Sequence, residues 1–507
     1  MISYIINSFM LLFLKKEYQR FINTGNVREV QEKILLDILN RNKTCRYGAK
    51  HGFSSIKSIV EFQKRIPVTI YDDYTYYIER IKQGEENVLT TERVIMFEPT
   101  SGSTSATKYI PYTGSLKKEF QEGIKPWLYN LYSEYKGLKH GKSYWSITPA
   151  TVKKAVTQGG IPIGFDEDSD YLGGISKKVI EYTFAVPSAI VHEKDMDPFY
   201  LKTSAALLLC NHLTLISIWH PTYFLLLLEF IENNFDRIMN QMSVCKQKQA
   251  SEMKEFVETK EYKKIWPELK VISCWSDGNA GKYAEKLGKI FPEVEIQPKG
   301  LIATEGFISF PLKGENGGIL SIYSHFFEFQ SLDDDKIYLA DELKKGREYL
   351  VLITTGGGFY RYNMNDIIEV TGEKHGIPLL KFKGKNDLVS DYFGEKLSEQ
   401  FIINIMKLFI NDNDFYLIAF EIDRYILFTD AVVNIVDIDT ALRENFNYDY
   451  CRKLGQLKAL GLFCLTGNPE KEYINGCVLK GQRLGDIKIN RLSKHNGWDK
   501  IFEGGYI

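Results

Sequence analysis

Phe97-Glu-Pro-Thr-Ser-Gly-Ser-Thr-Ser-Ala-Thr-Lys-Tyr-Ile-Pro111 is the stretch on which the reading of this chain turns. The apolar run Val94 to Phe97 leads in and Tyr109-Ile110 resumes strand character, so the pattern predicts strand, loop, strand. From Thr100 to Ser105 come five hydroxyls (Thr100, Ser101, Ser103, Thr104 and Ser105), with Gly102 among them and Lys108 after. Backbone N–H groups and hydroxyls in such a loop can surround a polyphosphate, and a lysine adds a mobile point charge. The spacing is not that of the Walker-type loop, which needs Gly, four residues, then Gly-Lys-Ser/Thr opening a helix. A solvated hairpin turn can have the same composition, so the remainder of the chain decides.

At 507 residues the chain is too long for one small domain, and a large core with a second domain is expected. Hydrophobic residues at 44% and charged residues at 25% describe a globular protein. A formal net charge of -1 gives no global pull towards nucleic acid or an anionic membrane. Tyr and Phe number 31 each, which suits an aromatic core or an apolar substrate pocket. The seven cysteines are scattered without a Cys-x-x-Cys pair, which argues against zinc or a disulfide framework and for a reducing, cytoplasmic compartment. Met1 to Leu14 is apolar, but its lysines, Lys15 and Lys16, follow it rather than precede it, and it is too short to span a bilayer. It reads as a first helix packed on the body, with peripheral membrane contact as the alternative.

Further along, Val27 to Asn40 shows an apolar stripe at helical spacing, and Ser115 to Tyr135 predicts an aromatic-rich helix carrying Phe120 and Trp127. Strands are expected at Ser143 to Thr148, Leu213 to Trp219, Val271 to Trp275 and Glu295 to Thr304. Helices are expected at Phe199 to Asn211, Thr222 to Ile231 and Gly281 to Ile290. This alternation implies a largely parallel, doubly wound sheet, whose ligands bind beyond the carboxyl ends of its strands. Leu301-Ile-Ala-Thr-Glu-Gly306 ends the last strand, so Thr304 and Glu305 fall at that edge, where a carboxylate and a hydroxyl suit Mg²⁺ shared with phosphates. A helix cap or turn is the plain alternative. Then Gly356-Gly-Gly358 turns a strand into Phe359-Tyr-Arg-Tyr-Asn-Met-Asn-Asp366. There Arg361 is a donor fork and Asp366 an acceptor for vicinal hydroxyls, unless the two form only a surface ion pair.

In order and spacing, Thr100 to Lys108, Ala303-Thr-Glu305 and Tyr360-Arg-Tyr-x-x-Asn-Asp366 resemble the core motifs of the adenylate-forming enzymes. Thr44-x-x-Tyr-Gly-x-x-His-Gly-Phe53, Pro67-Val-Thr-x-Tyr71, Ile78-Glu-Arg-Ile-x-x-Gly84, Gly394-Glu-Lys-Leu397 and Gly481-Gln-Arg-Leu-Gly-Asp-Ile-Lys488 narrow the resemblance to the auxin-responsive promoter family. Characterised plant members of that family are acyl acid amido synthetases. The resemblance implies an α/β adenylate-forming fold: a large N-terminal ATP- and acyl-acid-binding domain, residues 1–394, with doubly wound sheets and a β-barrel-like part, and a small mobile α+β C-terminal domain, residues 395–507. It implies ATP and Mg²⁺, small-molecule acid and amine partners, no nucleic acid, no integral membrane segment and a monomer.

Carried over by position, the resemblance places Ser101, Gly102, Ser103, Thr104 and Lys108 at the phosphates. Ala303 joins the ATP site, Thr304 and Glu305 sit by the α-phosphate, and Glu305 faces the metal. Asp366 holds the ribose, with Tyr360 and Arg361 shaping that wall, and Lys385 lies near the nucleotide. Glu395 to Leu397 falls at the hinge, and Lys488 swings over the nucleotide. Phe120, Trp127, His220 and Phe307 are expected to line the acyl pocket. Departures from the family pattern are Ser105 and Thr107 where Gly and Pro are common, Asn365 for Gly, Leu301 for an aromatic, and Lys385 for Arg, which loses a bidentate fork. Two other functions stay open: acyl transfer to a thiol of coenzyme A or a carrier protein, and nucleotide binding without catalysis.

Overall fold

The computed structural model describes residues 2–100, 108–146, 155–164, 182–193, 195–240, 253–277, 280–386, 389–390, 392, 395, 397–453, 457–493 and 495–507. Ser101, Gly102, Ser103 and Thr104 lie outside the described residues, as does the side chain of Lys385. Two compact units form; in described residues they are 2–100 with 108–383, and 384–507.

The first unit opens with helix α1 (Ile2–Ile22), longer than the apolar run suggests because Lys15 to Arg20 continue it. The Tyr18 ring packs tilted against Tyr129 at 4.8 Å and its hydroxyl receives the Asn130 amide at 3.2 Å, while Ile5, Phe9, Leu12 and Phe13 stay exposed. Helix α2 (Val27–Asn42) starts where the Asn26 side chain accepts the Glu29 N–H, and it buries Leu35, Ile38 and Leu39. Helix α3 (Tyr71–Lys82) follows. Strands β1 (Met96–Thr100) and β2 (Lys108–Tyr112) pair antiparallel with Phe97 opposite Pro111 and Thr100 opposite Lys108, so the two expected strands are present. Helix α4 (Gly114–Glu134) is capped by the Thr113 side chain and buries Phe120, Ile124, Trp127 and Leu131 at helical spacing.

The expected parallel sheet is also present: β3 (Lys142–Trp145), β4 (Leu213–Ser217), β5 (Val271–Cys274) and β6 (Glu295–Pro298) lie side by side, each parallel to the next. Helix α5 (Pro221–Asn240) follows β4, with a break in helical geometry at Asn234. Helix α6 (Gly281–Ile290) follows β5 over the residues the sequence pattern predicts. One expectation needs correcting. Glu295 to Thr304 is not a single strand: β6 ends at Pro298, and Ile302–Ala303 (β7) belongs to a separate hairpin with Gly306–Phe307 (β8). Gly300 marks the break, because a Cβ there would lie 2.0 Å from the Ser309 carbonyl oxygen.

A seven-stranded sheet completes this unit, with β9 (Phe326–Ser331), β10 (Glu348–Thr354) and β11 (Tyr362–Lys374) adjacent and antiparallel. Phe327, Phe329, Val351 and Ile353 share one face of it and are fully buried, and Phe326 is buried on the opposite face. The second unit is an α+β body around a five-stranded sheet, in which Tyr416–Glu421 and Arg424–Thr429 form the central antiparallel pair. Among the described residues no helix is long and apolar enough to cross a membrane, and Cys45, Cys210, Cys274, Cys451, Cys464 and Cys477 are all free thiols.

Candidate active site

Three segments distant in sequence meet in the first unit, and tyrosines join them. The Tyr112 phenol, at the end of β2, donates to the Thr304 carbonyl oxygen at 2.7 Å. Thr304 and Glu305 are the two turn residues between β7 and β8, both half-buried, with Ala303 opposite Gly306 at the hairpin's neck. Tyr71, at the start of α3, accepts the Tyr109 N–H at 2.7 Å, and the Lys108 ammonium sits 5.6 Å from its ring. Burial pushes the Tyr71 phenol up to about 12, and the Glu305 carboxylate is among the charges that add to the shift. Lys108, Thr304 and Glu305 therefore share one neighbourhood through Tyr71 and Tyr112.

The third segment is tied in by Thr69. Its N–H donates to the Arg361 carbonyl at 3.0 Å, its carbonyl accepts the Asn363 N–H at 2.8 Å, and its hydroxyl donates to the Tyr360 carbonyl at 2.9 Å. The segment Pro67 to Tyr71 thus braces both the 360–363 turn and the β1–β2 hairpin. Sequence reasoning assigned Thr69, Tyr71 and Tyr112 no role; the Pro67-Val-Thr-Ile-Tyr71 stretch was the available signal.

The hairpin with Glu305 is braced from behind. His325, fully buried, accepts the Phe307 N–H on Nε2 at 2.9 Å, so its Nδ1 carries the proton and donates to Glu119 at 2.9 Å. Glu119 also accepts the Gly356 N–H at 2.9 Å, joining the glycine turn to the same network. Gly123 lets α4 approach, since a Cβ there would lie 2.1 Å from the Phe307 ring.

The other expected residues have these surroundings. Arg361 is not a surface ion pair: its guanidinium is buried against Glu328 at 2.9 Å and donates to the carbonyls of Gln63 and Ile66. A left-handed backbone at φ 51 turns it inward. Tyr360 is likewise core, with its hydroxyl on the Leu89 carbonyl at 2.7 Å and its ring 5.0 Å from Tyr47. Asn365 takes φ 57, which its short polar side chain tolerates, and Asp366 follows on β11 at 2% exposure. Phe120 and Phe307 lie 6.3 Å apart, and Trp127 lies two turns further along α4. The His220 ring caps α5, accepting the Thr222 N–H at 3.3 Å, and packs 5.6 Å from Tyr283. In the second unit, the Lys488 carbonyl accepts the Tyr473 hydroxyl at 3.2 Å, and Glu395 is buried with its carboxylate receiving the Tyr425 hydroxyl at 2.5 Å.

Sheets and motif order together define an adenylate-forming fold. Within that class, the GH3 family N-terminal domain matches residues 19–255 and the GH3 family central domain matches residues 318–385. The chain belongs to the GH3 family, the auxin-responsive promoter family of the sequence motifs. It is 24% identical to a putative indole-3-acetic acid-amido synthetase of Oryza sativa subsp. japonica over 396 residues, covering 74% of this chain and 82% of that one. It is 24% identical to an indole-3-acetic acid-amido synthetase of Arabidopsis thaliana, GH3.2, covering 76% of this chain and 80% of that one. The solved structure of the AtGH3.15 acyl acid amido synthetase in complex with 2,4-DB superposes with a TM-score of 0.80 at 19% identity, over 99% of this chain and 96% of that one.

Proposed function

We propose that this chain is an ATP-dependent acyl acid amido synthetase. A carboxylate oxygen of the acid attacks the α-phosphorus of ATP and pyrophosphate leaves, giving an acyl-adenylate. An amine nitrogen, that of an amino acid, then attacks the acyl carbon, loses a proton, and AMP departs. The observation that carries this reading is the joining of the Lys108 hairpin to the Thr304-Glu305 turn through Tyr112 and Tyr71. Such chemistry asks the protein for positioning and for charge placed where charge develops. Lys108 supplies a cation and Ser101 to Thr104 supply donors to the phosphates; Asp366 accepts from the ribose hydroxyls.

Mg²⁺ fits this donor set. Among the described residues no cluster of three or more His, Cys, Asp or Glu could cage a metal. A half-buried single carboxylate, Glu305, is what an ion shared with substrate phosphates requires. When bound, the metal neutralises phosphate charge. Residues 395–507 act as the mobile domain that brings Lys488 over the nucleotide, and Lys385 lies at its approach. The setting is cytoplasmic, in keeping with free thiols.

A screen of pyrophosphate release across aromatic, indolic and fatty acids, each with and without amino acids, tests the proposal. Amide and AMP formed together support it. A thioester with coenzyme A in place of an amide would transfer the protein to the thiol-using ligases, and no release with any acid would leave only nucleotide binding.

A further inference from the structure

Lys299 is 6% exposed at the carboxyl edge of the parallel sheet, one residue past β6. Its ammonium lies 4.9 Å from the Trp127 ring, 5.7 Å from Trp145 and 5.1 Å from Trp219, and donates to the Ser217 hydroxyl at 2.8 Å. Trp145 and Trp219 come from the ends of β3 and β4, so the strand ends themselves build the box. Among the described residues no carboxylate pairs with Lys299, although a buried lysine ordinarily has one. Ser273, in register beside Ser217, also keeps a buried hydroxyl without a partner among the described residues. Burial lowers the Lys299 amine to about 7, the nearby Cys274 opposing the shift. Rings and one hydroxyl therefore only partly replace the water this amine has lost. An anion arriving in the box would complete the replacement.

Helix α4 connects this box to the hairpin with Glu305. Phe120 and Gly123 face Phe307, and Trp127 on the same face reaches Lys299. Seven residues of helix, from Phe120 to Trp127, rise about 10 Å.

We propose that Lys299 is the receptor for a second acidic group on the acyl acid, so that the substrate class is an aromatic dicarboxylic acid about 10 Å long. This rests on the amido synthetase reading, which places the reacting carboxylate at Thr304 and Glu305. Lys299 is poorly suited to that carboxylate itself. A charge pair with the nucleophile stabilises the ground state and is lost on adenylation, whereas a pair with a distal carboxylate persists through both half-reactions. The tryptophan faces suit the ring between the two groups.

The test is calorimetric titration of the intact protein with 2,6-naphthalenedicarboxylate and with 2-naphthoate, followed by pyrophosphate release with each. The diacid is rigid and symmetric, so either end can react. The diacid is expected to bind at least about tenfold more tightly than the monoacid. Lys299→Met is expected to remove that preference by weakening the diacid alone, and Lys299→Gln, which keeps a polar head in the box, is read in the same titration. Equal binding of the two acids by the unaltered protein, or an unchanged ratio in either folded variant, overturns the proposal. Calorimetry needs no turnover. Lys299-dependent binding of the diacid without pyrophosphate release supports the receptor and counts only against the synthetase reading.

Discussion

The Tyr112 hydroxyl holds the Thr304 carbonyl at 2.7 Å across 192 residues of sequence. This one bond fixes the end of the β1–β2 hairpin to the turn that carries Glu305. A neutral hydrogen bond contributes about 1 kcal/mol to stability, but misplacing a reacting group by a fraction of an ångström weighs more heavily on rate. Tyr112→Phe is expected to lower the rate of pyrophosphate release about tenfold while shifting the melting temperature by only a few degrees. Paired melts and rate measurements check this, and a large drop in melting temperature with normal turnover per folded molecule would show the bond to be purely structural.

Glu305 sits half-buried in a two-residue turn. Glu305→Gln keeps the shape and removes the charge. Pyrophosphate release is expected to be abolished, with the melting temperature within a few degrees of the unaltered protein. Normal turnover at saturating Mg²⁺ would take Glu305 out of the site.

Arg361 and Asp366, five residues apart, are expected to separate cleanly. Arg361→Gln leaves Glu328 buried without its partner, a change that destabilises by about 3–5 kcal/mol. Asp366→Ala is expected to raise the KM for ATP strongly, since a charge-assisted contact to ribose contributes roughly 1.5–3 kcal/mol. Melting curves and KM values for ATP and 2′-deoxy-ATP decide between them: equal use of both nucleotides by the unaltered protein is incompatible with the ribose role.

Much of this was legible in the sequence because local pattern and global fold agree. Helical spacing at Phe120, Ile124, Trp127 and Leu131 produces α4, and the alternation from Leu213 to Ile290 produces the parallel sheet. The burial of Arg361 was not legible because its partner, Glu328, stands on another strand 33 residues earlier, and an isolated Tyr-Arg-Tyr cannot show which way the arginine turns. The strand from Glu295 was overextended because Gly300 breaks it through a contact with Ser309, which is tertiary. Lys299 looked like one lysine among many, since its box is assembled from strand ends about 80 to 155 residues upstream together with Trp127 of α4.

Glu399 supplies a pH test in the second unit. Its carboxylate receives the backbone N–H groups of Arg491 and Leu492, yet burial raises it from 4.5 to about 7. Between those values the folded state binds the extra proton, so this group's contribution to stability falls as pH rises from 4.5 through 7. Glu399→Gln removes the effect. The melting temperature of the variant relative to the unaltered protein is expected to be higher at pH 8 than at pH 5. A difference that stays flat across that range would mean Glu399 is ionised throughout.

Lys488 stands close enough to Glu399 for its charge to lower that carboxyl, opposing the effect of burial. Its backbone is pinned by the Tyr473 hydroxyl, and its side chain is half-buried. A lysine's long stem can deliver a charge and withdraw it, which suits a residue used in only one domain orientation. In that role Lys488→Ala depresses one half-reaction much more than the other. ATP–pyrophosphate exchange reads adenylation, and amide formation from a preformed acyl-adenylate reads transfer. A merely electrostatic partner of Glu399 gives a different signature: both half-reactions keep their rates, and only the pH dependence of melting moves. Equal loss in both half-reactions, without a change in melting, would remove Lys488 from the transient role and assign it to a contact needed throughout the cycle.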